Sequence, residues 1–373
     1  MPTGKATTYG LNVGVMLDIE DKIDLLNPFD VPFQGGGGAD GRSVLATGTC
    51  FEKKVEWLDE VLLTPRSKSV GTSTTGDTFV TLGSGERLKF STGDLLVINS
   101  EEVRVTGYAT TAETLDVTRA VGGTSAATIS SGSIIAGVGR ALPEGSDPEN
   151  PRFIDRTNRY NLTEIFGPEK VTVSGSEQVV KKYGLSGTTE FDHQLANRMK
   201  EMAIHVEQAI ALGNRFEDTN ALTRAMGGLG FYITTNVSTA TDLTESAILD
   251  ALQTCFEAGG NPDRIMLNPK QKRKASAFAT GIQIRVDRTD NGRGQTVDFF
   301  ESDFGRISLL MSRWYRPSDA HVFSREQVEL CTLRPITFEM LAKTGDSVSG
   351  QIVGEKTLKV FRELHAFKFT SLQ

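Results

Sequence analysis

The sequence predicts an α+β chain that carries an inserted all-β, barrel-like module, on three observations. One long amphipathic stripe occupies Glu190–Leu212. Short runs of branched residues, separated by Gly, Ser and Thr, fill residues 66–145. Strand-like runs return after Phe304 without the regular alternation of a βαβ protein. At 373 residues the chain exceeds one ordinary core, given about 100–200 residues per domain, and divides into two or three compact units.

Residues 1–65 read as an extended arm. Val15, Met16, Ile19, Ile23 and Leu26 fit one short helical stripe, Pro28 and Pro32 stop regular structure, and Gly35–Gly38 supply a flexible joint. Phe29, Phe33, Phe51 and Trp57 are too sparse to bury one another, so they are expected on another surface, either a neighbouring subunit's or that of their own domain. In the module, the runs Phe79–Leu82, Leu95–Ile98, Val103–Thr106, Thr114–Thr118 and Ser133–Ala136 stand at hairpin-to-sandwich spacing, which predicts a small barrel. Two further strand-like runs, Tyr160–Phe166 and Val171–Val173, lie within 146–187.

The strongest helix is Glu190–Leu212. Phe191, Leu195, Met199, Met202, Val206 and Ile210 recur at three- and four-residue intervals, Thr189 with Asp192 forms a capping-box-like start, and Gly213-Asn214 supplies a stop. At 1.5 Å per residue it spans about 35 Å. Its polar face carries Arg198, Lys200, Glu201 and Glu207, candidates for ion pairs to a neighbouring subunit, each exposed pair being worth about 0–1 kcal/mol. Leu243–Ala258 is a second helix, opened by Asp242 with Glu245 and closed by Gly259-Gly260. Ile265–Leu267 reads as a buried strand, and Asn268-Pro269 start a basic helix, Lys270–Phe278. Strands are expected at Ile307–Met311, His321–Phe323, Gln327–Leu330, Gly354–Phe361 and Ala366–Thr370.

Composition narrows the function. Hydrophobic residues make up 38% and charged residues 23%, with 38 glycines, which describes a folding, turn-rich chain. The formal charge of −7 argues against a direct reader of DNA phosphates. Cys50, Cys255 and Cys331 match neither a disulfide framework nor a metal knuckle and fit a reducing cytoplasm. No signal-peptide core or apolar run of membrane-spanning length occurs, so no membrane partner is expected.

The motifs offer little chemistry. Gly35–Gly38 and Met226-Gly227-Gly228-Leu229-Gly230 do not continue into a phosphate-binding loop and read as hinge or turn. His193, His205, His321 and His365 lack metal-ligand spacing and read as surface or internally satisfied histidines. Asp298, Glu301 and Asp303 form an acidic cluster that a glycosidase would need, but such a group is more often a solvated loop. Lys270, Lys272, Arg273 and Lys274 form the one dense basic run, suited to DNA at an inner face, to acidic neighbours or to solvent. No catalytic, cofactor-binding or metal residue is assigned, and no cofactor is expected.

One ordered set of blocks is more informative. Residues 19–33, IEDKIDLLNPFDVPF, precede the glycine run and then Glu56-Trp57-Leu58-Asp59-Glu60-Val61-Leu62. Asn161–Phe166, Val171–Gly175, Arg224–Gly228, Leu333-Arg334-Pro335 and Ala342–Asp346 follow. In this order they resemble the major capsid proteins of tailed bacteriophages with the Hong Kong ninety-seven-like fold.

The resemblance implies a phage capsid fold divided as an N-terminal arm (1–65), the inserted module (66–145), an extended loop reaching over the next subunit (146–187), a spine helix with peripheral domain (188–235), an axial domain (236–315) and C-terminal peripheral strands (316–373). It further implies self-assembly into hexamers and pentamers of an icosahedral head, with Phe29, Phe33, Trp57, Arg198, Lys200, Glu201 and Glu207 as subunit contacts. A scaffolding protein, a portal, a decoration protein and packaged DNA, bound without sequence-specific contacts, are the implied partners. The implied location is the virion capsid, assembled in the host bacterial cytoplasm. An encapsulin-like nanocompartment shell is the alternative of the same fold, and a carbohydrate-binding or carbohydrate-active β protein that of another class.

Overall fold

The computed structural model describes residues 30–34, 44–108, 113–145, 156–182, 185, 188–277 and 299–373. In chain order, β1 (Ala46–Thr49) and β2 (Lys54–Glu60) precede the module. The module holds β3 (Arg66–Lys68), β4 (Phe79–Thr81), β5 (Asp94–Ile98), β6 (Glu101–Tyr108), β7 (Thr114–Thr118) and β8 (Ile134–Arg140). Next come β9 (Arg156–Leu162), β10 (Glu164–Ser174), α1 (Gly175–Val179), α2 (Glu190–Leu212), β11 (Phe216–Asp218), β12 (Thr223–Ala225), α3 (Leu229–Tyr232), β13 (Val237–Ser238), α4 (Glu245–Glu257), β14 (Arg264–Leu267) and α5 (Pro269–Ala277). The chain closes with β15 (Phe299–Ser302), β16 (Gly305–Met311), β17 (Ala320–Phe323), β18 (Val328–Met340), β19 (Ser347–Val360) and β20 (Phe367–Phe369).

Two compact units result: Leu58–Thr157, and Met1–Trp57 with Asn158–Gln373. The smaller is entered by β2 and left by β9, which pair with each other, so its compact boundaries are wider than the 66–145 expected. Its six antiparallel strands run in the order β3-β8-β5-β6-β7-β4, and Ser69 bridges Leu82 just beyond the two edge strands, closing the sheet on itself. Alternation sends Leu96, Ile98, Val103, Val105, Leu115, Val117 and Ile135 inward, where they pack with Phe90 and Ile129. Buried among the strands, Glu101 receives a two-pronged guanidinium from Arg119 (2.6 and 2.7 Å) and the backbone N–H groups of Ala120 and Ala127. Arg119 also donates to the carbonyls of Thr74 and Asp77, so this one pair ties four segments of the module.

The larger unit contains two main sheets. One has the order β1-β18-β19-β10, with β1 parallel to β18 and the remaining pairs antiparallel. The other has the order β13-β20-β17-β14-β16-β15. This division corrects the expected boundaries. β17 and β20, placed by the sequence with the peripheral strands at 316–373, pair instead beside β14, because their short apolar runs complete that sheet. Residues 164–174, expected in a loop over the next subunit, are an eleven-residue strand paired with β19 of the same chain.

Helix α2 has the predicted bounds. Thr189 Oγ1 accepts the Asp192 N–H at 3.2 Å and the Gly213 N–H closes on Ala209 O at 2.9 Å. Phe191 stands edge-on to Phe338 at 5.8 Å, and Met202, Val206 and Ile210 enter the main core. Met199, expected in the stripe, is 42% exposed. α4 is capped by Thr244 accepting from Ala247 N–H, rather than by Asp242, which pairs with Lys274. At α5, Asn268 Oδ1 accepts the Lys270 N–H as predicted, while Phe278 lies outside the described residues.

Candidate functional site

The arm and helix α2 meet within one subunit. The N–H of Phe33 donates to both carboxylate oxygens of Glu207, at 3.0 and 3.2 Å. Gln34 Nε2 donates to Ala203 O at 2.7 Å, and Trp314 Nε1 donates to Asp30 O at 2.7 Å. The Phe33 ring, 1% exposed, lies between Tyr315 and Phe323, with centroids 6.2 and 6.5 Å away. Residues 30–34 are therefore clamped to their own spine helix and core.

This corrects three of the expected subunit contacts. Glu207 is fully buried, because the buried face of α2 broadens at Val206, Glu207, Ile210 and Ala211. Trp57 is buried in its own core against Tyr232 (5.6 Å) and Phe361 (6.1 Å). Like Phe33, these side chains have their surface consumed inside the chain. Arg198 and Glu201 pair with each other at 2.6 Å along the helix, Lys200 is exposed, and Phe29 lies outside the described residues.

Burial pushes the Glu207 carboxyl up to about 7, against the opposing pull of the Phe33 and Gln34 donors. Since this lies above the ordinary 4.5, its contribution to stability is complete below that value and is lost as pH rises through about 7. The expected loss is about 1.4 kcal/mol per unit, or about 3 kcal/mol in all. Glu207→Gln keeps an acceptor for Phe33 and should remove this slope. Denaturant midpoints of both proteins across the acid-to-neutral range check it, and taking the difference between variants cancels the opposite slope of His321, which is described below.

Around the clamp, the recognised blocks converge. Buried Asn161 donates from Nδ2 to the carbonyls of Gly227 (2.9 Å) and Leu358 (2.6 Å), while its Oδ1 accepts the N–H of Gly227 (2.8 Å). Arg224 joins Thr163 O (2.7 Å) to Glu355 (2.8 Å). The glycine motif is a close backbone approach: a Cβ on Gly228 would meet the carbonyl oxygens of Ile210 and Ala209 at 2.6 and 2.7 Å. Glu363 accepts the N–H groups of Thr234 (2.8 Å) and Thr235 (2.6 Å) and pairs with Arg159 (3.0 Å). Burial alone would raise its carboxyl, but those backbone donors outweigh it and hold the group below its ordinary range.

Among the described residues, the other sequence candidates do not assemble a site. Cys50, Cys255 and Cys331 are buried free thiols. On the basic helix, Lys274 pairs with Asp242 and donates to Gln373 O. Asp298 lies outside the described residues, and Glu301 and Asp303 are exposed. Among the described residues no group of three or more His, Cys, Asp or Glu side chains could hold a metal ion, and no helix is long and apolar enough to cross a membrane. His321 departs from expectation, being buried without a hydrogen-bond partner among the described residues for either ring nitrogen. Phe51, one of the arm residues expected on another surface, is 92% exposed, and Leu222, which sequence reading did not signal, is 83% exposed. Leu222 also has a left-handed backbone, φ 55°, which is uncommon for a leucine.

Comparison with known proteins agrees with the geometry. A family profile described as SU10 major capsid protein matches residues 1–373. No curated protein matches the chain. Among solved structures, a chain of Microbacterium phage Oxtober96 is 10% identical, with 99% of this chain and 100% of that chain covered at a TM-score of 0.52. A chain of Mycobacterium phage Bobi is 12% identical, with 99% of each covered at 0.52. A chain from the capsid of an empty GTA particle is 9% identical, with 99% and 100% covered at 0.53. These likenesses show the capsid fold, and the full-length profile shows the lineage: the chain belongs to the SU10 major capsid protein family.

Proposed function

We propose that this major capsid protein assembles as hexamers and pentamers into an icosahedral head around double-stranded DNA, in the host bacterial cytoplasm. A scaffolding protein, a portal and a decoration protein are its proposed partners. The observation that carries the reading is the division of its apolar surface. The arm anchor and Trp57 are spent inside the subunit, whereas Phe51, Leu222 and Val179 remain outside, where neighbouring copies would cover them. Each contact is modest, and symmetry multiplies it. A net charge of −7 suits an inner wall that lets DNA slide without sequence-specific grip. Family membership favours a phage head over the nanocompartment alternative, and the role is structural rather than enzymatic.

Sedimentation and negative-stain imaging of the chain expressed in bacteria, with and without a scaffolding partner, test this reading. Capsomers or shells are expected. Leu222→Ser should leave the fold's stability within about 0.5 kcal/mol, as exposed substitutions usually do, yet lower the yield of particles several-fold. Unchanged particle yield would remove Leu222 from the contact surface.

A further inference from the structure

His321 stands on β17, one of the two central strands of its sheet, is 2% exposed, and has no hydrogen-bond partner among the described residues for Nδ1 or Nε2. Buried polar groups of this kind are uncommon, because each lost hydrogen bond is costly. Tyr315 closes one side, edge-on at 5.1 Å. A Cβ on Gly230 would fall 2.9 Å from Nε2, so glycine there leaves the ring its room. The ring lines a cavity of about 230 Å³ together with Asn214, Arg316, Asp319, Lys368 and Thr370.

Size, charge and donors give this cavity a preference. Its volume falls below the roughly 300–1,000 Å³ of small-molecule pockets, yet it is several times the roughly 30 Å³ share of a water, so it suits an ion-sized guest. Arg316 and Lys368 face one carboxylate, Asp319, which leaves a net positive charge. Lys368 Nζ donates to Gly230 O at 2.8 Å, leaving two of its N–H groups for a guest. Arg316 is exposed and has no ion pair among the described residues, while Asp319 Oδ1 accepts from Ser318 Oγ at 2.8 Å. Burial, and then the Lys368 ammonium, hold the imidazole down to about 3, so the ring is neutral near pH 6.

We propose that this cavity is a binding site for a small oxyanion of the phosphate class, held by Lys368 and Arg316 with His321 as its inner wall. The site is independent of the exposed apolar contacts proposed above.

Titration of the full chain with inorganic phosphate, against chloride at equal ionic strength, tests it by calorimetry and by the histidine carbon resonances in nuclear magnetic resonance. Millimolar binding is expected at about pH 6, together with a phosphate-dependent shift of the resonances of His321, whose ring lines the cavity. Arg316→Met, at a surface position, should keep the fold and weaken binding about tenfold, as loss of a charge-assisted pair does. A His321 resonance indifferent to phosphate, or equal affinity in wild type and Arg316→Met, would overturn the proposal.

Discussion

Arg119→Ala is expected to destabilise the inserted module by about 3–5 kcal/mol, the cost of leaving a buried charge without its partner. Glu101 is fully buried and would keep only the N–H groups of Ala120 and Ala127. Burial pushes its carboxyl up, but Arg119 and these N–H groups outweigh that and hold it below the ordinary carboxylate range, so it stays charged in the fold. The loss also frees the carbonyls of Thr74 and Asp77, which Arg119 now fastens. For a unit of this size each kcal/mol moves the midpoint by about 4–8 °C, so the module's melting should fall by at least about 12 °C. Calorimetry and limited proteolysis report it, with cleavage expected between Leu58 and Thr157. A double variant with Glu101 also made apolar should recover part of the loss, because no buried charge then remains.

Phe33→Ala is expected to cost about 3–5 kcal/mol, the range for emptying a buried phenylalanine site. Its ring touches a core shared by Tyr315 and Phe323, and its backbone carries the two hydrogen bonds to Glu207. The substitution removes the apolar anchor and leaves those bonds to hold the arm against water. Faster proteolysis ahead of Val44, with a lower denaturant midpoint, is the expected outcome. An unchanged midpoint would show that the clamp contributes little to the subunit.

Where structure is decided locally, the chain could be read directly. Helix α2 was legible to the residue because its stripe, its Thr189 cap and its Gly213 stop all lie within the segment. Five of the module's strands, β4 to β8, were legible for the same reason, since branched runs between turns announce themselves, whereas β3, with no such run, was not. Long-range pairing was harder. Only the start of β18 and the end of β19 were anticipated, since Pro335 and Gly350 disguise the remainder, which becomes strand through pairs such as Thr337 with Val353 and Met340 with Gly350.

The clamp was hidden for a different reason. A glutamate on a helix reads as surface, and the partner that buries Glu207 is a backbone N–H 174 residues away. His321 was missed likewise, because a lone histidine in a strand says nothing of the cavity beside it. The ordered blocks Asn161–Phe166 and Arg224–Gly228 were recognised as family features, and their contact through Asn161 and Arg224 supplies the physical reason they occur together.

The most direct measurement is high-resolution imaging of particles formed by the full chain. The account predicts a closed shell built of this subunit, in which residues 30–34 of each copy lie on that same copy's spine helix with Phe33 against Glu207. A chain that stays monomeric under every assembly condition, or a shell in which the segment crosses to a neighbour's helix, would contradict it.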